Sequence, residues 1–263
     1  MCLWRCLKVK TLLKYDWLYF IKTPRLIILL VLPIFLSALS ALSARYMNVI
    51  LEFAMTQEGI EGIIFPEPSV NDAYIQFYSN YLQIYMLVII FIGVGLFTVG
   101  HTKNHYPFIF THSISKKDYI LSKLVILFGI TVLSMVVGSI VFMVYTYLLF
   151  EVFHVGTFIL SILLFLIIVL FTMTFMALMS YLLNSYIGAI TSSVIVYILL
   201  SSMASLKYGV FEYFPHRMFE YPLLLFKENN EFLPIATTTV ITLMISALCL
   251  FLSLRLFKRR TLM

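Results

Sequence analysis

His101 and His105 stand four residues apart, close enough to share a helix face and offer two nitrogen ligands to a metal ion. Zinc needs at least a third protein ligand, and none stands beside them, so no metal site is expected. The run G-L-F-T-V-G-H-T at 95–102 has the glycine spacing of a phosphate-binding loop, but His101 occupies the lysine position. Such a loop must also follow a strand in a soluble sheet, whereas this run closes a long apolar block. No H-E-x-x-H, no G-x-S-x-G and no paired intramembrane aspartate is present for hydrolysis. The chain is therefore expected to be no enzyme in itself and to hold no cofactor of its own. Cys2, Cys6 and Cys249 fall in segments expected inside the cell or in the bilayer, which leaves no external disulfide.

The elements that position these residues are apolar. Of 263 residues, 62% are hydrophobic and 11% charged, against about 45–50% apolar in soluble domains. Splitting the chain at its charges leaves six apolar blocks, near 26–44, 81–100, 124–150, 157–183, 187–206 and 234–254. Each can cross a hydrocarbon core of about 30 Å, which takes roughly 20 helical residues. Pro33 in the first block is tolerated where neighbouring helices satisfy the backbone it disturbs. The expected fold is all-α: one polytopic membrane domain over 1–263 with six transmembrane helices. A-L-S-A at 41–44 resembles a signal cleavage site, but the basic lead of residues 1–25 is longer than a signal's charged region, and no cleavage is expected. No charge lies central in any block. A charge there costs about 2.5–3.5 kcal/mol on insertion scales and usually marks function, so no proton relay is expected.

Orientation follows from the lysines and arginines, which accumulate in cytoplasmic segments. With the N terminus inside, every Lys and Arg is cytoplasmic except Arg45, Lys207, Arg217 and Lys227, and every acid is external except Asp16 and Asp118. Both termini are expected in the cytoplasm of a cell whose plasma membrane holds the chain. The net charge of +6 is then a topology signal, and without a soluble basic face no nucleic-acid partner is expected.

Residues 1–25 read as an interfacial elbow. Cys2, Cys6, Val9, Leu13, Trp17 and Phe20 recur at steps of three or four, with Arg5, Lys8, Thr11 and Tyr15 opposite. Thr23-Pro24 breaks that helix, since a residue before proline avoids helical angles. An external loop is expected over 45–80, ending where Ser69 and Asp72 form a capping box. A second, over 207–233, mixes aromatics with charges and prolines as short interfacial helices do.

The cytoplasmic segment 101–123 contains T-H-S-I-S-K-K-D-Y-I-L-S-K. Ser115 with Asp118 reads as a capping box and Ile114 with Tyr119 as a hydrophobic staple, so a helix starts at Lys116. A tether needs only flexible polar residues. A rigidly capped helix end suits docking, although it is equally what an ordinary third span would begin with.

Residues 113–123, S-I-S-K-K-D-Y-I-L-S-K, resemble the connector between the second and third spans of ABC-2-type permeases, the membrane subunits of a class of ABC exporters. Ser113 stands where the family usually has proline, and the 45–80 loop is longer than in its minimal members. The elbow, six spans and structured loop before the last span are similar too. The resemblance implies a permease paired with a second one, homologous or identical, each seated on a separate ATPase chain. Those two ATPase copies would carry ATP and Mg. His112, Ser113, Ile114, Ser115, Lys116, Lys117 and Asp118 would form the coupling helix, helped by the elbow and the 184–186 turn. The second and fifth spans would line the path or the permease interface, making Thr98, Gly188, Thr191, Ser192 and Ser202 candidates there. Plain helix packing explains each of those residues as well.

A route without fixed charges suits an amphipathic or hydrophobic substrate, and export of a cytolytic or antimicrobial peptide is the expectation from similarity to compact bacterial exporters. Lipid, polysaccharide or drug export is the alternative within the class. Outside it stand a membrane sensor or assembly scaffold, and a channel or secondary transporter, against whose inverted-repeat forms the absence of an internal repeat counts.

Overall fold

The structure is a computed structural model, and it describes residues 12–18, 20–58, 67–102, 115–183, 185–206, 213–226 and 232–260. Residues 12–18 and 20–21 are helical (α1), and Thr23 then takes extended angles with Pro24 opening the next helix. There follow α2 (Pro24–Arg45), α3 (Met47–Glu58), α4 (Val70–Asn80), a π-turn (Tyr81–Tyr85), α5 (Met86–Thr102), α6 (Lys116–Phe150), α7 (Val155–Leu183) and α8 (Tyr186–Ser202). A 3₁₀ turn (Pro215–Phe219), α9 (Tyr221–Leu224) and α10 (Phe232–Arg260) complete the chain. No strand occurs among the described residues.

Among the described residues, five helical stretches are long and apolar enough to cross a membrane: Pro24–Arg45, Val70–Thr98, Lys117–Phe150, Val155–Leu183 and Pro234–Phe257. The second crosses the π-turn unbroken. The fifth of the six apolar blocks forms only the 17-residue α8, at the lower limit for a crossing. It stops because the chain turns at Met203–Ser205, where the buried Arg217 takes the Ala204 carbonyl with Nη1 at 2.7 Å. The 3₁₀ turn folds back into the bundle there, with all five of its residues buried.

Between helices in lipid, packing and hydrogen bonds hold what the hydrophobic effect cannot. α2 packs along α6 and α4, α10 along α7, and α5 and α8 close on the other side of α7. Tyr81 Oη bonds Ser37 Oγ at 2.9 Å and donates to the Pro33 carbonyl at 3.1 Å, filling space that Gly138 leaves open. Asn80 Nδ2 donates to Ser40 Oγ at 2.9 Å, Tyr85 bonds Ser134, and Tyr197 on α8 donates to the Leu82 carbonyl in the π-turn. One end of the bundle is aromatic: Tyr74 stacks on Phe226 at 4.0 Å and packs against Phe142 and Phe158. The opposite end carries α1 and the start of α6.

Candidate functional site

Helix α6 begins where its residue types direct. Ser115 Oγ accepts from the Asp118 N–H at 3.1 Å, and Asp118 in the first turn faces the positive end of the helix dipole. Only this arm of the capping box forms. Ser69 and Asp72 at α4 form both. Ile114 of the staple, and His112 and Ser113 of the candidate coupling helix, lie outside the described residues. Of the rest, Ser115 is the cap, Lys116 the first helical residue, Lys117 exposed and Asp118 half-buried.

One turn further in, this helix start is tied to four other elements. Ser122 Oγ donates to Asp16 Oδ2 on α1 at 2.8 Å. Lys123, only 4% exposed, donates from Nζ to the Leu96 carbonyl on α5 at 2.7 Å and lies 4.4 Å from the Tyr119 ring centre. Tyr119 stacks on Phe257 of α10 at 5.8 Å, nearly parallel, and Phe257 meets Tyr181 at the end of α7 at 4.9 Å. A carbonyl and a cation–π contact, with a carboxylate beyond, are what a desolvated ammonium needs. The Asp16 carboxyl is held above its ordinary range chiefly by burial, with the Ser122 hydrogen bond and the Lys123 charge opposing. Arg25 adds a further cation: a Cβ on Gly95 would lie 3.6 Å from its Nη2. That is ordinary contact distance, as is the 3.5 Å to Ser185 Cβ at Gly188, so neither glycine is required by close packing within the chain.

This junction was hidden from the sequence. Of the described part of the expected elbow stripe, Phe20 is buried, Leu13 is partly buried and Trp17 faces out, and Leu12 and Asp16 are buried as well. Asp16 was nonetheless conspicuous as the one acid in a basic lead, and Lys123 lies four residues from Tyr119 on one helix face.

The residues expected along a path do not converge. Thr98 is buried, its hydroxyl donating to the Val94 carbonyl at 2.8 Å. On α8 the inward face is Ala189, Ser193 and Tyr197. Gly188, Thr191, Ser192 and Ser202 share the opposite side, and the hydroxyls of Thr191, Ser192 and Ser202 bond carbonyls of their own helix at 2.8, 3.2 and 3.0 Å. Ser185 caps α8 through the Gly188 N–H at 3.3 Å. His101 is helical, while His105, Cys2 and Cys6 lie outside the described residues and Cys249 is a buried free thiol. No group of three or more His, Cys, Asp or Glu suited to a metal occurs among the described residues.

Compared with known proteins, the sequence matches no family model and no curated protein. The chemistry of the chain therefore rests on its own geometry. In that geometry the α6 start contacts α1, α5 and α10 directly and meets α7 through Phe257.

Proposed function

We propose that this chain is the transmembrane subunit of an ATP-driven exporter of the ABC-2 class. It has six spans, with α8 the fifth, and both termini cytoplasmic in the cell membrane. A separate ATPase chain presses on the Ser115–Asp118 helix start, and a second permease completes the path along the exposed face of α8. The observation that supports this reading is the anchorage of that helix start, through Asp16, Lys123 and Phe257, to three other elements and, through Phe257 and Tyr181, to a fourth. A load applied at Ser115 meets a braced lever. The cargo in this reading is amphipathic or hydrophobic, a cytolytic peptide first among its classes, since the spans offer hydroxyls and apolar surface.

Purification of the tagged chain from its own membranes in mild detergent tests the proposal. An ATPase should co-purify, with turnover that depends on the chain, and Asp118→Lys should leave insertion intact while abolishing transport per ATP hydrolysed. Flux from the purified chain alone, or wild-type transport by Asp118→Lys, defeats the reading.

A further inference from the structure

A groove of about 320 Å³ lies between α6, α7 and α10, at the lower end of the size range of ligand sites. Its floor includes Leu124, Met173 and Ser246, all buried, and its rim Val125, Leu243 and Ala247, all exposed. The two hydroxyls in the lining are already used: Thr174 donates to the Phe171 carbonyl at 2.9 Å and Ser246 to that of Thr242 at 2.7 Å. With no unused polar group on its walls, the groove favours hydrocarbon over water. It follows α6 from Leu121 to Phe128, about 10 Å at 1.5 Å per residue, roughly a third of a 30 Å hydrocarbon core. The groove thus belongs to a single leaflet.

Lys117 stands one turn before Leu121 on the same face of α6, at the groove's polar end, and is exposed. The one ion pair among the described residues, Arg217–Glu220, is at the other end of the bundle. Asp118, the nearest carboxylate in sequence, is roughly 100° round the helix. The end of α10 brought here by the Tyr119–Phe257 stack carries the exposed Arg255. A hydrocarbon groove with an exposed lysine at its polar end, and a second cation on α10 at the same end of the bundle, suits a molecule with an acyl chain and a negative head group. We propose that this groove binds an anionic phospholipid, its acyl chain between α6, α7 and α10 and its head group at Lys117. The site goes beyond the transport reading, and because an ATPase seated on Ser115–Asp118 would share Lys117, it is tested on the chain alone.

The test uses the full chain in nanodiscs containing phosphatidylglycerol or phosphatidylcholine with a photoreactive acyl chain, the label being mapped by peptide mass spectrometry. Phosphatidylglycerol should label residues 121–128 and 243–250 about fivefold more than phosphatidylcholine, the ratio given by about 1 kcal/mol per interfacial lysine. Ala247→Trp and Leu243→Trp, which fill the rim, should each reduce that label to the level of α2, and Lys117→Glu should make the two lipids equal. Equal labelling by both lipids in the wild type overturns the site and needs no variant. So does undiminished labelling of a monodisperse Trp variant. Covalent dimers of Val125→Cys in place of lipid label would assign the groove to a second copy of the chain, and labelling displaced by an added amphipathic peptide would assign it to cargo; either also overturns the proposal.

Discussion

Ser122 on α6 donates a 2.8 Å hydrogen bond to Asp16 on α1, joining residues separated by 106 positions in the chain. This bond places a carboxylate within the influence of Lys123, itself buried and bonded to the Leu96 carbonyl. An acid, a hydroxyl and an ammonium therefore fasten the elbow to the α6 start and that start to the end of α5. Further along α6, the bond of Ser134 to Tyr85 joins neutral groups, and such bonds average about 0.6 kcal/mol in membranes. Hydrogen bonds to charged groups contribute about 1.5–3 kcal/mol. The strongest directional contacts of α6 thus lie at the end proposed to receive force.

Asp16 gives that junction a pH dependence whose sign is fixed by burial. Its folded pKa is raised, so the folded state binds the proton more tightly, and its contribution is full below the unfolded value and lost as pH rises through the folded one. Asp16→Asn, neutral at every pH, removes this dependence. Relative to wild type the variant should gain stability at neutral pH, and the difference should shrink as pH falls toward about 4. Thermal melting in detergent across that interval reads it; a gap that widens on acidification refutes the assignment.

Gly138 is the steric counterpart of the Tyr81 hydroxyl. A Cβ at 138 would lie 2.1 Å from Tyr81 Oη, 3.0 Å from Ser37 Oγ and 3.1 Å from Pro33 Cβ, so Gly138→Ala forces a fully buried ring to move. Overpacking of this kind costs about 1–3 kcal/mol. Tyr81→Phe removes the clashing oxygen, and the double variant should be more stable than Gly138→Ala alone. Additive melting shifts would show that the two residues do not share this space.

Tyr197 fixes α8 to the π-turn. The π-turn opens the regular backbone ladder, and the Tyr197 hydroxyl supplies a donor to the Leu82 carbonyl. Tyr197→Phe keeps the ring against Phe219 and removes only that donor. A loss of about 0.6 kcal/mol is expected, and at most about 1.7, with faster hydrogen exchange confined to residues 82–87 and the inner face of α8. Unchanged exchange there would mean that the π-turn holds without α8.

The helices were legible where their signals are local. Apolar runs long enough to span produced the five long helices, and Ser69 with Asp72 marked the start of α4 in full. The length of α8 was not legible, since its end depends on Arg217 reaching back to Ala204 from beyond a loop. The buried face of α1 was not legible for a related reason: only the fold reveals that Ser122 and Lys123 meet the Asp16 carboxylate. Ser115 announced a helix start, but the bracing behind it involves α1, α5, α7 and α10, whose proximity no spacing encodes.

Lys123 is where the mechanical reading is most exposed to test. Lys123→Met keeps an unbranched stem of similar volume while removing the donor to Leu96 and the cation beside Tyr119. Removing one member of a buried charged contact leaves Asp16 without its nearest cation and destabilises, so the melting temperature should fall, while insertion and helix content below it should match wild type. Coupling is different, because the charged hydrogen bond that ties α6 to α5 is gone. With about 1.5–3 kcal/mol of that tie removed, transport per ATP hydrolysed should fall roughly tenfold or more. Basal hydrolysis by the proposed ATPase partner should continue. Lys123→Arg, which keeps a donor and a cation, should recover part of the ratio. If Lys123→Met transports as many molecules per ATP as wild type, the contact to Leu96 serves packing alone and the lever must run through Phe257 instead.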